Sequence, residues 1–152
     1  MDSFVVMHNP EIIGTLENFI RDFISKEPKR PCSFSGLKIT TGNAAKGNFI
    51  YVVGWKVVGL DKIYELGYKF KSTANITAPK NKKHHSMWMY KNTIKDSEKN
   101  IDGLYFDVPV IIKSLVVSQW FDKKDNLMKE IPPDIVKELD KIFEDINAKS
   151  FI

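Results

Sequence analysis

The order of hydrophobic patterns along the chain constrains the fold most: a helical pattern, then β patterns, then a second helical pattern. Residues 10–26 and residues 128–152 each carry an apolar stripe with helical spacing. Between them, residues 36–121 are rich in β-branched and aromatic residues, which is typical of strands. This order predicts an α+β fold. We expect a mostly antiparallel curled sheet, or a partly open β-barrel, flanked by an N-terminal and a C-terminal helix.

Both predicted helices have start signals, and the first has a stop signal. Asn9 suits the cap of the first helix and Pro10 its first helical position. The prolines within residues 26–31 then end this helix. The second helix has Pro132, Pro133 and Asp134 at its entry.

The central region divides into six candidate strands. They are residues 36–41, 48–58, 68–76, 86–92, 104–108 and 110–121. The last of them is compatible with a buried helix or a buried strand, and its β-branched content favours a strand. Residues 60–67 interrupt the β pattern. Their apolar residues have helical spacing and Gly67 suits a helix end, so they predict a short helix.

Length and cysteine content set further bounds. With 152 residues, the chain is long enough to fold without disulfide or metal staples. We predict one domain over residues 1–152, either alone or as the N-terminal domain of a longer protein. The chain has a single cysteine, Cys32, and no secretory signal pattern, and both features favour a cytoplasmic, reducing location. It also has no apolar run of about 18 residues, so we expect no membrane partner.

The net charge of +4 conceals an uneven distribution. Residues 36–100 hold twelve lysines and four acidic residues, a net charge of +8. Residues 101–152 hold seven lysines and ten acidic residues, a net charge of −3. A lysine-rich β region with aromatic residues is typical of a surface that binds a polyanion. Residues 36–121 contain no arginine, so we expect contacts mainly with phosphates rather than bases.

These observations favour a nucleic-acid-binding module, with DNA favoured over RNA, such as the recognition domain of a restriction-type or other larger enzyme. The densest basic cluster is residues 79–85, which run into a candidate strand with aromatic residues suited to base stacking. The candidate contact residues are Lys38, Lys46, Asn48, Lys69, Lys71, Lys80, Lys82, Lys83, His84, Trp88, Tyr90 and Lys91.

Two other interpretations remain open. Lysines also keep exposed strands soluble without binding anything. Alternatively, the chain is a viral or phage-type accessory or structural module that binds protein, with self-association between its basic sheet and its acidic helix. No enzyme, cofactor or metal is predicted. Adjacent histidines on a strand point to opposite faces, and no P-loop pattern is present.

Overall fold

The computed structural model describes residues 2–35, 44–77, 90–122 and 129–151. In chain order its helices and strands are β1 (Ser3–His8), α1 (Pro10–Ile13), α2 (Leu16–Ile24), β2 (Ser33–Ser35), β3 (Phe49–Val58), β4 (Asp61–Lys71), β5 (Ala74–Thr77), β6 (Tyr90–Thr93), β7 (Gly103–Ile111), α3 (Leu115–Asp122), β8 (Lys129–Glu130), α4 (Pro133–Asp145) and β9 (Lys149–Ser150).

The strands form two sheets. The main sheet has six strands in the order β8-β1-β3-β4-β7-β9, and only the β1–β3 pair is parallel. A second sheet, called here the small sheet, has the order β2-β6-β5 and is antiparallel. The predicted α+β fold with a mostly antiparallel sheet is confirmed. The main sheet is not closed into a barrel, since it ends at the short edge strands β8 and β9.

The main sheet is buried on both faces. On one face, Leu16, Ile20 and Phe23 of α2 pack within a cluster that includes Tyr68 and Phe70 of β4. On the other face, α3 and α4 supply a second cluster. β1 contributes to both clusters, which explains why its residues 4–7 are all buried and all apolar.

The predicted helix over residues 60–67 is wrong, because this segment lies in β4. The chain turns at Gly59, whose φ is 65°, and β4 then pairs with β3 along its length. Gly67 does not end a helix. A Cβ there would lie 2.8 Å from Leu16 Cδ2, so glycine allows α2 to approach the sheet closely. Strand pairing on both sides therefore overrides the local helical spacing.

Three other predicted elements are divided in the structure. The predicted strand over residues 68–76 is split between the end of β4 and the start of β5. The first helix breaks at Gly14, whose φ is 80°, and Thr15 caps the second part by accepting from the Asn18 backbone N–H at 3.2 Å. The predicted cap at Asn9 is confirmed, since its side chain accepts from the Glu11 backbone N–H. The predicted strand over residues 110–121 is wrong after Ile111, where the chain leaves the sheet and forms α3.

The C-terminal helix is confirmed over α4, whereas residues 129–130 and 149–150 of the predicted range form the edge strands β8 and β9. Residues 36–41, predicted as a strand, lie outside the described residues. Of the predicted strand over residues 86–92, the described part belongs to β6.

Candidate nucleic-acid interface

Half of the twelve predicted contact residues fall outside the described residues. These are Lys38, Lys80, Lys82, Lys83, His84 and Trp88. Tyr90 is the first residue of β6, and only its backbone is described. Lys46, Asn48, Lys69, Lys71 and Lys91 are described in full.

The pairing of the small sheet determines where the basic segments join the fold. Ser35 pairs with Tyr90, and Tyr90 pairs with Thr77 on the other side. The last residues of β2 and β5 and the first residue of β6 therefore lie side by side. Residues 36–43 follow β2, and residues 78–89 connect β5 to β6. Both segments thus join one end of the small sheet, which we call the basic end.

The sequences of the two segments have basic residues and no acidic residues to balance their charge. Together they carry Lys38, Lys80, Lys82 and Lys83 and no acidic residue. Lys91 is the second residue of β6 and lies next to the basic end. It pairs with Phe34 of β2, and its Nζ lies 5.8 Å from the centroid of the Phe34 ring.

A groove of about 580 Å³ lies between α2 and the small sheet. Its lining combines apolar rings with charged groups and consists of Ile13, Phe19, Asp22, Phe23, Lys26, Glu27, Pro28, Arg30, Cys32, Phe34 and Lys91. Burial raises the pKa of the Cys32 thiol to about 11, so this thiol stays neutral at physiological pH.

Most charged side chains of the groove form ion pairs or hydrogen bonds within the protein. Lys26 pairs with Asp22, and the nearby Lys29 pairs with Glu27, each at 3.3 Å. Arg30 donates hydrogen bonds to three backbone carbonyls of residues 95–98. Among the groove's cations, Arg30 and Lys91 have no ion pair with any residue that the structure describes.

Lys69 lies elsewhere and is part of the fold. Its Nζ is 2.9 Å from Asp140 Oδ1 of α4, and its side chain is only 15% exposed. The ammonium also lies 5.0–5.5 Å from the ring centroids of Phe49, Tyr51 and Phe143. Tyr51 donates to the same Asp140 oxygen at 2.5 Å, and burial raises the pKa of its hydroxyl well above the usual value. Lys69 thus joins β4 to α4.

Asn48 and Lys71 also have local roles. The Asn48 amide donates to the Ala44 carbonyl at 3.0 Å, which holds the turn before β3. The Lys71 backbone N–H donates to the Asp102 carbonyl at 2.9 Å. Lys46 is exposed in the same turn as Asn48. The structure therefore brings Lys91 to the basic end but not Lys69.

The groove itself was not predicted from the sequence. The sequence prediction treats residues 26–31 only as the stop signal of a helix. The signal was present nonetheless, since Arg30 and Lys29 stand between Pro28 and Pro31 just before Cys32 and Phe34. A proline-bounded basic segment followed by an aromatic residue indicates a shaped loop as well as a helix end.

The described residues contain no group of three or more His, Cys, Asp or Glu side chains arranged to hold a metal ion. In the same part of the chain, no helix is both long and apolar enough to cross a membrane. Neither protein-family models, curated proteins nor solved structures give a match to this chain.

Proposed function

We propose that this chain is a nucleic-acid-binding module, with DNA as the favoured ligand, that contacts phosphates through the basic end of the small sheet. The observation that carries the proposal is the strand register Ser35–Tyr90–Thr77, which joins both acid-free basic segments at one place. An intracellular, reducing location is part of the proposal, because the ligand lies inside the cell.

Lysines grouped without acidic neighbours favour a polyanion because each phosphate they neutralise releases condensed counterions. Four lysines in residues 36–43 and 78–89, together with Lys91, offer about five such contacts. Lysine acts as a point charge and does not read guanine as arginine does, so weak sequence preference is expected. Trp88 in the second segment adds an aromatic surface suited to base stacking.

A direct test compares two variants with the same change in charge. The first replaces Lys80, Lys82 and Lys83 by Gln, and the control replaces Lys113, Lys137 and Lys141, which are exposed on other parts of the molecule. Fluorescence anisotropy with a labelled duplex at low salt measures the affinity. We expect the first variant to bind at least tenfold more weakly and the control to bind nearly as the wild type does. Equal loss in both variants would contradict a localised interface.

The second candidate function is a protein-interaction module, and one observation favours it. The β3–β4 hairpin continues past Gly54 and Glu65, where its last pairings with β1 and β7 occur. Residues 56–63, called here the ribbon, expose Val57, Val58 and Leu60. Exposed apolar residues grouped in this way are typical of protein contacts. Sedimentation velocity of the wild type and of Leu60→Lys tests self-association through the ribbon.

A further inference from the structure

The ribbon ends in an apolar tip that projects beyond the neighbouring strands of the main sheet. Val57 and Val58, the last two residues of β3, are exposed, and Leu60 in the turn is fully exposed. The pairing of β1 with β3 ends at Gly54, and the pairing of β7 with β4 ends at Glu65. Three large apolar side chains at the end of a projecting hairpin are typical of a protein contact.

One face of the ribbon carries a lysine that forms no ion pair within the described residues. Lys62 pairs with Val57 across the hairpin, so their side chains share a face. The Lys62 Nζ lies 4.3 Å from the ring centroid of Trp55 and 5.6 Å from that of Tyr64. The Tyr64 ring in turn contacts Phe121 of α3, with centroids 5.2 Å apart. The lysine therefore lies on the face of the sheet that α3 covers.

A depression between α3 and the start of α4, called here the socket, also has apolar walls. Its volume of about 250 Å³ is below the range of small-molecule sites, about 300–1,000 Å³. The socket is therefore suited to a side chain rather than to a separate ligand. Val116 and Trp120 lie one helical turn apart on α3, so they form one wall. The lining consists of Val116, Gln119, Trp120, Pro132, Asp134 and Ile135.

The charge at the socket is negative. Asp134 is the charged member of the six lining residues, and it is exposed in the first turn of α4. No lysine or arginine of the described residues forms an ion pair with it. The sequence of α4 carries five acidic residues and two lysines, a net charge of −3. The socket thus combines apolar walls with an available carboxylate.

The ribbon and the socket are complementary in shape and in charge. The ribbon offers a convex apolar tip with Lys62 behind it, and the socket offers a concave apolar surface with Asp134 beside it. Both features belong to one chain, so each copy carries a tip that matches the socket of the next. An exposed apolar side chain and a complementary pocket elsewhere on the same molecule produce contacts between copies. The opposite charges favour and orient that contact.

We propose that this chain self-associates by placing the ribbon of one copy in the socket of another. Leu60 packs against Val116 and Trp120 of the second copy, and Lys62 faces Asp134. The inference rests on the second candidate function, because it names the surface that the ribbon binds. It is independent of nucleic-acid binding at the basic end.

Two single substitutions remove opposite halves of the contact. Leu60→Lys places a charge at the tip of the ribbon, and Val116→Lys places one in the wall of the socket. Both residues are exposed, so both variants should fold, which thermal unfolding checks. Sedimentation velocity should show that each variant associates at least tenfold more weakly than the wild type. Ile146→Lys, an exposed apolar residue at the other end of α4, is the matched control and should associate as the wild type does.

A mixture of the two variants tests the pairing itself. The intact ribbon of Val116→Lys meets the intact socket of Leu60→Lys, so association should reappear in the mixture. A contact between two ribbons predicts no such recovery. Exchange of the charges provides a second test. Lys62→Glu and Asp134→Lys should each weaken association several-fold, and the protein with both substitutions should regain most of the loss.

Each outcome has a distinct meaning. Loss of association in both variants, with recovery in the mixture, is the expected result. Loss in Leu60→Lys alone, or loss in both variants without recovery, would overturn the socket inference and leave the second candidate function standing. A wild type that stays monomeric, or one whose association survives Leu60→Lys, would overturn both. The DNA affinity of the same proteins is measured separately, so none of these results decides the role of the basic end.

Discussion

The basic end of the small sheet and the ribbon of the β3–β4 hairpin are both ends of antiparallel strand pairs, yet they offer opposite chemistry. The segments that join the first contain lysines and no acidic residue in their sequence, whereas Val57, Val58 and Leu60 are exposed at the second. Charged contacts weaken as salt rises, and apolar contacts do not. The two regions are therefore suited to different partners, and salt distinguishes them experimentally.

The comparison also shows that a lysine's place in the fold determines its role. Lys69 and Lys91 both stand in β-strands and were both predicted as contact residues. Lys69 is engaged by Asp140 beneath α4, whereas Lys91 lies beside the groove. Alternation along a strand indicates which residues share a face but not which element covers that face.

Acid should lower the free energy of unfolding, because the buried His8 has a lowered pKa. His8 lines the cavity beneath β2, its Nε2–H donates to the Gly14 carbonyl at 2.8 Å, and burial lowers its pKa from 6.5 to about 4. The unfolded chain therefore binds the proton more tightly than the folded chain, and stability rises with pH between about 4 and 6.5. Lowering the pH from 7 to 4 should cost the fold about 3 kcal/mol through this residue.

Urea unfolding at the two pH values measures this effect, and His8→Gln serves as the reference. The wild type should lose more stability than His8→Gln on acidification, by an amount that approaches the figure above. The same pH dependence in both proteins would show that His8 does not titrate on unfolding.

Lys69→Met and Lys91→Gln should separate folding from binding. Lys69→Met leaves Asp140 without its ion pair, and we expect a loss of about 1–2 kcal/mol in the free energy of unfolding, since Asp140 is partly exposed to water. Its affinity for DNA should stay unchanged. Lys91→Gln should do the reverse, with stability kept and DNA binding reduced several-fold. Urea titration and anisotropy on the same samples measure both properties, and a large loss of DNA affinity in Lys69→Met would contradict the separation.

Leu60→Lys should have the smallest effect on folding. Leu60 is fully exposed at the turn of the ribbon, so the change in unfolding free energy should stay within about 0.5 kcal/mol. If the ribbon mediates self-association, this variant should sediment as a monomer at concentrations where the wild type forms larger species. If the wild type is monomeric at all concentrations, the hypothesis of self-association through the ribbon is excluded.

The sequence predicts the large elements well because their signals are long and periodic. The stripes of α2 and α4 and the cap at Asn9 needed only local information. Residues 60–67 are too short, and residues 110–121 too apolar, for periodicity to distinguish helix from strand. Their states depend on partners far along the chain, such as the pairing of Glu65 with Ile111.

The candidate site was likewise only partly predictable from the sequence. Composition identified the lysines, but the fact that residues 36–43 and 78–89 join the same end of the small sheet depends on the register of the three-residue strand β2 with β6. No local sequence pattern predicts a strand as short as β2. The groove depends in addition on the packing of α2 against that sheet, which places Phe19 beside Phe34. Such a site becomes visible only when the long-range contacts are known.

The salt dependence of DNA binding tests the central claim most directly. Each lysine–phosphate contact on a duplex contributes about −0.9 to the slope of log affinity against log salt concentration. The variant without Lys80, Lys82 and Lys83 should therefore have a slope shallower than that of the wild type by about 2 to 3. The control variant at Lys113, Lys137 and Lys141 should keep the wild-type slope. Equal slopes in all three proteins, or a wild-type affinity that does not fall with salt, would contradict binding through the basic end.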